Sequence, residues 1–280
     1  MRFCVLNEVK KIMKLYQIKK DLIAKGIDEY EGREILLNVL NVDNLDSQQE
    51  LTASQVRDIL KAGKKHLKGM PVNKIFGVAY FYGMKLNINN HVLAPRSDTE
   101  VLVERVLQDI NPQDKVLDLC TGSGAIALAL AKYGNANVLA VDISRRALQV
   151  AKRNAQSLGL NVDILRSDMF SKVSGKYDII TCNPPYISAT EYKTLDKSVR
   201  KYDPKLALVG KDNGLQFYKR LANECKDYLV DGGRLYMEIG YNQAQDVKDI
   251  FTREEYTDIE IIQDLGGRDR VIKVTKKEQL

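Results

Sequence analysis

The sequence predicts an α/β fold, in which a small N-terminal helical bundle precedes a mostly parallel, seven-stranded sheet with helices on both faces. Three observations support this prediction. From residue 115 onward, short apolar runs alternate with amphipathic stretches, as they do in α/β proteins. A glycine-containing turn at 122–124 joins the first of these runs to an apolar helix. Before residue 71, apolar residues instead recur at helical spacing.

The first 70 residues are expected to form a bundle of short amphipathic helices. The first helix is predicted to bury Val9, Ile12, Met13, Tyr16 and Ile23, and the second to bury Ile35, Leu36, Val39 and Leu40. Thr52-Ala53-Ser54-Gln55 has the pattern of a capping box, which predicts the start of a third helix. Its inward stripe is predicted to be Val56, Ile59, Leu60 and Leu67. No ligand chemistry is visible in this bundle, so we expect it to dock a substrate.

Residues 71–94 are expected to form a linker with a β-hairpin. Apolar Met84, Leu86 and Ile88 alternate with polar residues, which is typical of a half-buried strand. Asn89-Asn90 is a turn signal, and we expect the hairpin to turn there.

The main domain is expected to cover residues 95–280. Its strands are predicted at 115–119, 137–141, 162–165, 177–182, 233–239, 256–262 and 270–275. Its helices are predicted at about 98–109, 123–133, 144–158, 214–229 and 242–251. The last two strands should pair antiparallel around Gly266-Gly267 and complete the sheet.

Composition is that of an ordinary globular protein, with 44% apolar and 29% charged residues in 280. No apolar run approaches the length of a bilayer span, and the N-terminus lacks a signal-peptide core, so we expect a cytoplasmic protein. The four cysteines have no metal-ligand spacing, which favours free thiols and no metal site. His66 and His91 adjoin no chemical motif and are interpreted as surface or packing residues.

The glycine-containing turn indicates a nucleotide-like cofactor. It comprises residues 120–124, from Cys120 through Thr121, Gly122 and Ser123 to Gly124. Glycines at a strand-to-helix turn allow a ligand to approach the backbone closely. The next predicted strand ends at Asp142, whose carboxylate suits the two hydroxyls of a ribose.

This pattern alone also satisfies the dinucleotide fingerprint, and a single match to that fingerprint is weak. Asp118 favours another cofactor, since its carboxylate would repel a pyrophosphate but could meet the ammonium of an amino-acid-bearing cofactor. S-adenosylmethionine has an adenosine, an α-amino group and a transferable methyl group. We therefore predict methyl transfer.

Asn183-Pro184-Pro185-Tyr186, called the amide clamp below, follows a predicted strand. Two prolines make this segment a rigid loop. The Asn183 side chain and the Pro184 carbonyl could accept the two N–H groups of a planar amide or exocyclic amine, and the Tyr186 ring could stack on its plane. We therefore predict that Asn183, Pro184 and Tyr186 are catalytic and that residues 183–186 bind the substrate.

Several motifs together resemble the HemK/PrmC family of N(5)-glutamine methyltransferases, which act on peptide chain release factors. The resemblance extends from about residue 69 to residue 274. Its motifs lie at 71–77, 95–100, 118–127, 140–144, 183–187, 238–240 and 264–271. It implies a Rossmann-like, class I S-adenosylmethionine-dependent methyltransferase domain over 95–280. It also implies, as substrate, the glutamine in the Gly-Gly-Gln motif of class-one release factors.

The resemblance further implies cofactor contacts from Cys120 through Gly124, and from Asp142, Met169 and Asn183. The chain departs from the family pattern at four places. Cys120 replaces a glycine, Ser97 replaces a proline, and Met169 stands where some members carry tryptophan. Asp203-Pro204 replaces Glu-Pro and precedes a variant turn at 210–215, within the expected substrate-facing loop.

Three alternatives stay open on sequence grounds. A DNA or RNA adenine methyltransferase would use the same four residues on a flipped base. Residues 1–75 carry 14 basic and 10 acidic side chains, which is a small excess for nucleic-acid binding. A glutamine methyltransferase of a ribosomal protein would also share the amide clamp. A non-catalytic nucleotide-binding module is disfavoured by the combination of clamp and cofactor turn. We expect a monomer that requires neither nucleic acid nor membrane.

Overall fold

The computed structural model describes residues 13–278. Two compact units make up the chain, Met1–Phe76 and Gly77–Leu280. The described part of the first unit contains helices α1 (Leu15–Ala24), α2 (Glu29–Leu40), α3 (Ala53–His66) and α4 (Val72–Phe76). Two short strands, β1 (Met13–Lys14) and β2 (Glu50–Leu51), pair antiparallel beside them.

The buried face of α1 differs from the predicted one. Leu15, Ile18 and Leu22 are buried, whereas Tyr16 and Ile23 are 37% and 45% exposed. The prediction is wrong because the helix begins only at Leu15, after the chain has paired with β2, so the apolar repeat starts there. Val9 and Ile12 lie outside the described residues.

The predictions for α2 and for the start of α3 are confirmed. Ile35 and Leu36 of α2 are fully buried. The Thr52 hydroxyl accepts the Gln55 N–H, and the Gln55 side chain accepts the Thr52 N–H in return.

The stripe predicted for α3 is only partly correct. Ile59 is buried, but Leu60 and Leu67 are 36% and 49% exposed. The buried face of α3 instead includes the small residues Ala62 and Gly63. A Cβ at Gly63 would lie only 3.0 Å from the Leu22 side chain, so close packing of α3 on α1 requires a glycine there. A search for large apolar residues does not detect such a position.

The second unit begins with a hairpin of β3 (Val78–Phe81) and β4 (Met84–Asn87). Its turn lies at Tyr82 and Gly83, and the turn predicted at Asn89-Asn90 is wrong. A two-residue hairpin turn of the primed type needs positive φ at both positions, and here φ is +46° and +70°. The Tyr133 hydroxyl donates to the Tyr82 carbonyl and supports the unfavourable conformation of that residue.

Seven strands form one sheet in the second unit, as the sequence predicts. They are β5 (Lys115–Leu119), β6 (Asn137–Asp142), β7 (Asp163–Arg166), β8 (Tyr177–Cys182), β9 (Leu229–Glu238), β10 (Thr257–Gln263) and β11 (Asp269–Thr275). Their order is β10-β11-β9-β8-β5-β6-β7, and β11 runs antiparallel to both of its neighbours. The other pairs are parallel.

Helices cover both faces of this sheet. They are α5 (Ser97–Asp109), α6 (Ala125–Tyr133), α7 (Arg145–Leu158), α8 (Ala189–Thr194), α9 (Lys197–Tyr202), α10 (Gln216–Glu224) and α11 (Ala244–Arg253). Alternate residues of β5 enter different apolar cores: Val116 packs with α5 and α6, and Leu117 packs with α10 and α11. The strands are therefore apolar on both faces, as buried parallel strands are.

Two features of the segment between β8 and the end of β9 differ from the prediction. The short helices α8 and α9 were not predicted, although Ser188 and Glu191 form a capping box at the start of α8. Strand β9 starts at Leu229, before the predicted position 233. Gly232 and Gly233 suggest a turn, but the strand continues through them with a shift in its register against β8.

Candidate active site

A cavity of about 570 Å³ opens at the carboxyl ends of β5, β6 and β8. Strands β6 and β7 lie on one side of β5 and strand β8 lies on the other, so the order of strands reverses at this point. Ligands of open α/β sheets bind in the crevice at such a reversal. The volume is in the range of small-molecule sites.

The turn after β5 forms the floor of the cavity. Cys120, Thr121, Gly122 and Ser123 line it, as does Met169. Cys120 and Met169 both have positive φ, +57° and +48°, and Cys120 Sγ lies 3.8 Å from Met169 Sδ. Cys120 therefore adopts a left-handed conformation that glycine accepts more easily, at a backbone cost of about 1–2 kcal/mol.

Gly124 does not itself line the cavity, and its cofactor contact stays a prediction. It precedes α6 with φ of +84°, and a Cβ there would lie 3.1 Å from the Ala151 Cβ. The close packing of α6 on α7 therefore favours a glycine at this position.

Asp142 lines the cavity at the end of β6, and its carboxylate is fixed by the backbone. Gly122 N–H donates to Oδ2 at 2.9 Å, and Ser144 N–H donates to Oδ1 at 2.8 Å. Burial raises the pKa of this carboxyl, against the effect of these backbone hydrogen bonds. Each oxygen keeps lone-pair capacity for a ribose hydroxyl.

Two buried polar side chains at this turn fit an amino-acid-bearing cofactor. Thr121 lines the cavity, and its hydroxyl lies beside the Asp118 carboxylate. Asp118 is fully buried and does not itself line the cavity; its Oδ1 accepts from Thr181. Burial raises the pKa of Asp118 to about 6, against the effect of the hydrogen bonds from Thr121 and Thr181. An ammonium group bound beside Thr121 would add donors to this pair of side chains.

The amide clamp starts at the end of β8, where Asn183 and Pro185 line the same cavity. Asn183 Nδ2 donates to Glu238 Oε2 at 2.8 Å and to Thr99 Oγ1 at 3.3 Å. Glu238 Oε2 and Thr99 Oγ1 are only 2.6 Å apart, so they lie on the same side of Nδ2 and share one of its N–H groups. Asn183 Oδ1 is left for a ligand.

Pro184 and Tyr186 do not line the cavity. Pro184 is buried, and the Tyr186 hydroxyl donates to Glu238 Oε1 at 3.0 Å. Burial and the adjacent carboxylate raise the pKa of the Tyr186 phenol, so it remains a donor. On sequence grounds Glu238 and Thr99 belong only to motifs and are not predicted to be site residues. The structure joins both to the clamp.

A loop that follows β8 supports the clamp from behind. Ile187 N–H donates to the Leu208 carbonyl, and Gly210 N–H donates back to the Ile187 carbonyl. The Gln243 side chain also donates to the Tyr186 carbonyl at 3.1 Å. The variant turn at 210–215 therefore contacts the clamp backbone directly.

We expect Gly214→Ala to be far more damaging than Gly175→Ala. The two glycines have nearly equal φ, +88° and +89°, so the backbone strain on adding a Cβ is the same. At Gly214 that Cβ would lie 2.0 Å from the Tyr186 carbonyl oxygen, whereas at Gly175 nothing lies within 4 Å. The loss in the free energy of unfolding should be about 1–2 kcal/mol for Gly175→Ala and at least about 3 kcal/mol for Gly214→Ala. Urea unfolding of both variants measures it, and equal losses would contradict the packing described.

His91 is exposed, as expected of a surface residue, and it also lines the cavity. Cys120, Cys182 and Cys225 are free thiols, while Cys4 lies outside the described residues. Within residues 13–278, no group of three or more His, Cys, Asp and Glu side chains could hold a metal ion. None of the helices in the same range has the length and apolar character that a bilayer span needs.

Comparison with known proteins identifies the family. The model of the methyltransferase small domain matches residues 96–211. A release factor glutamine methyltransferase of Lactococcus lactis subsp. lactis is 41% identical over 243 residues, which cover 85% of this chain and 89% of that protein. The corresponding protein of Streptococcus pneumoniae is 38% identical over 94% of this chain and 98% of its own length. The chain belongs to the release factor glutamine methyltransferase family.

The fold agrees with that of a solved member of the wider class. A methyltransferase from Pyrococcus furiosus superposes with a TM-score of 0.55 at 18% identity, covering 78% of this chain and 98% of the other. The predicted Rossmann-like methyltransferase fold is confirmed. The prediction of an S-adenosylmethionine-dependent methyltransferase is also confirmed, and the dinucleotide alternative is not.

Proposed function

We propose that this release factor glutamine methyltransferase methylates the side-chain amide nitrogen of the glutamine in the Gly-Gly-Gln motif of class-one release factors. Cys120 through Gly124, Asp142, Met169 and Asn183 form its cofactor site, with Gly124 acting through the shape of the turn. Residues 183–186 bind the glutamine. The observation that carries the proposal is the orientation of Asn183, whose Nδ2 is engaged by Glu238 and Thr99 inside the cofactor cavity.

A glutamine amide needs help to react, because its nitrogen lone pair is delocalised into the carbonyl group. Asn183 Oδ1 and the Pro184 carbonyl accept its two N–H groups and favour a pyramidal nitrogen. The Tyr186 ring stacks on the amide plane. Alignment and stabilisation of the developing charge contribute several kcal/mol, on the order of other preorganised sites, when water is excluded.

S-adenosylmethionine supplies an electrophilic methyl group when it is bound. Methyl transfer would form a nitrogen–carbon bond as the carbon–sulfur bond breaks, with S-adenosylhomocysteine as the leaving group, and the amide nitrogen would then lose one proton. The methylated nitrogen is strongly acidic before it loses that proton, so Asn183 and Tyr186 need only hold and orient the amide. His91 is not required as a base in this scheme.

Labelled S-adenosylmethionine tests the proposal directly. The purified protein is incubated with a release factor carrying Gly-Gly-Gln, with a Gln→Ala copy of it, with a ribosomal-protein mixture and with duplex DNA. Label is expected on the intact release factor alone. Label on ribosomal protein or DNA, with none on the release factor, would contradict the proposed substrate while leaving methyl transfer intact.

We further propose that residues 1–70 dock the release factor, that 71–94 link this bundle to the catalytic domain at 95–280, and that the protein acts as a monomer in the cytoplasm. Release factors meet their methyltransferase in that compartment, and neither nucleic acid nor membrane is required. Deleting residues 1–70 should raise the KM for the release factor and leave S-adenosylmethionine binding unchanged. Sedimentation measures the oligomeric state.

A further inference from the structure

One fully buried carboxylate connects the separate parts of the amide clamp. Glu238 ends β9 and is only 3% exposed. Its Oε2 accepts from Asn183 Nδ2 at 2.8 Å and from the Thr99 hydroxyl at 2.6 Å. Its Oε1 accepts from the Tyr186 hydroxyl at 3.0 Å. Three side chains, two from the clamp and one from α5, thus donate to one group.

We propose that Glu238 is a positioning residue, which fixes the Asn183 amide with Oδ1 toward the substrate and holds Tyr186 beside it before the substrate arrives. This inference rests on the proposed function of the clamp. It assigns to Glu238 an indirect role, since the carboxylate reaches the reacting nitrogen only through Asn183 and Tyr186.

The chemistry of the pair explains why a carboxylate is suited to this task. The terminal torsion of asparagine is broad and roughly two-fold, so a free Asn183 could present either Nδ2 or Oδ1 to the cavity. An ionised carboxylate only accepts hydrogen bonds, so it selects Nδ2 and excludes Oδ1. A presented Nδ2 would offer N–H groups to the N–H groups of the substrate and would repel them.

The same contact polarises Asn183. A hydrogen bond to a charged acceptor is stronger than one between neutral groups, and chains of hydrogen bonds strengthen one another in a low-dielectric interior. Donation from Nδ2 to Glu238 therefore makes Oδ1 a better acceptor for the substrate amide. A water molecule could not polarise Asn183 in place of Glu238, because this contact is buried.

Charged and titratable groups surround Glu238 on several elements. Arg96 precedes α5, and Arg270 of β11 is itself held by Asp98 and Asp264, each at 3.3 Å. The Tyr218 hydroxyl of α10 donates to the Glu238 backbone carbonyl. Burial raises the pKa of Glu238, and the donors Thr99 and Tyr186 and the charges of Arg270 and Arg96 oppose that rise.

The raised pKa of Glu238 predicts a pH dependence of turnover that tests its positioning role. A raised pKa means that Glu238 takes up a proton at a higher pH than a free glutamate does. The protonated group carries an O–H donor in place of one acceptor, so it no longer holds Asn183 and Tyr186 together. The turnover number kcat should fall on the acidic side through this titration, while binding of S-adenosylmethionine should follow it less closely.

The test compares Glu238→Gln with the control Glu260→Gln, whose carboxylate pairs with Arg105 and is 48% exposed. We expect Glu238→Gln to lower kcat by about 30-fold, because the amide can present N–H to the clamp. The KM for the release factor and the Kd for S-adenosylmethionine should stay within about threefold, since no contact to either is removed. The acidic fall in kcat should be smaller in Glu238→Gln than in the wild-type protein, because Asp118 and Asp142 still titrate there but residue 238 does not. It should be unchanged in Glu260→Gln.

Unchanged kcat in a folded Glu238→Gln protein, or an acidic fall that the substitution does not reduce, would overturn the inference. Where Glu238→Gln does not fold, Thr99→Val replaces it, because Thr99 both donates to Glu238 and accepts from Asn183. In that variant kcat should fall about fivefold at constant KM, and an unchanged kcat would overturn the inference. Wild-type protein assayed in parallel checks the proposed function separately: its failure on every release factor overturns the substrate assignment, whereas a defect confined to the variants does not.

Discussion

Asn183→Ala is expected to lower kcat for glutamine methylation by about a thousandfold, the scale seen when a preorganised group that stabilises a transition state is removed. Asn183 lines the cavity, and its Nδ2 donates to Glu238 and Thr99. Alanine removes the Oδ1 acceptor proposed to hold the substrate amide, and it leaves Glu238 and Thr99 without this donor. The amide nitrogen then keeps its planar, unreactive form.

Binding of the cofactor should change far less than turnover. Asn183 is one of several groups around the cofactor cavity, whereas the turn after β5 and Asp142 stay in place. We expect the Kd for S-adenosylmethionine to rise by no more than about fivefold, the value of a single modest contact. Rapid-quench turnover and titration calorimetry measure the two quantities, with Asn223→Ala on the exposed face of α10 as the control. Equal losses in kcat and in cofactor affinity would contradict the role proposed for Asn183.

The sheet and its cofactor turn could be predicted from the sequence because local signals specify them. Strands such as β5 and β8 are buried on both faces and therefore are short apolar runs, which periodicity detects. The turn at 120–124 joins a strand to a helix in a short stretch of sequence. The clamp is four consecutive residues. Each of these features depends on residues that are close together in the chain, so it can be recognised from the sequence.

Features that depend on distant residues could not be predicted in this way. Glu238 meets Asn183 across 55 positions, and Thr99 meets Glu238 across 139. In the sequence, a glutamate at the end of an apolar strand indicates only where the strand ends. Its contact with the clamp depends on the fold. The same limit applies to α1, where pairing of Met13 and Lys14 with β2 decides which residues start the helix and thus which face is buried. Gly210 and Gly214 look like loop glycines, yet close approach to the clamp carbonyls requires them.

Asp142→Ala is expected to impair cofactor binding, whereas Asn183→Ala impairs the chemistry. The Asp142 carboxylate accepts from Gly122 N–H and Ser144 N–H, so it shapes the turn after β5, and we propose that its remaining lone pairs accept from a ribose. Alanine removes both effects. The Kd for S-adenosylmethionine should rise about 50-fold, as expected for the loss of hydrogen bonds to a charged group. At saturating cofactor, kcat should stay within about threefold, because Asn183 and Glu238 are unaffected.

The pH dependence of binding distinguishes this role from a structural one. Burial raises the pKa of Asp142, so the carboxyl is protonated at a higher pH than that of a free aspartate, and the protonated form accepts fewer hydrogen bonds. Cofactor affinity of the wild-type protein should therefore weaken as pH falls through that pKa, whereas Asp142→Asn should bind weakly with much less dependence on pH. Calorimetric titrations across the acidic range measure this, with Asp163→Ala at the exposed start of β7 as the control. A wild-type Kd that does not change with pH, or an Asp142→Ala protein that binds normally, would show that the cofactor is held without this carboxylate, by the glycine-containing turn and Thr121.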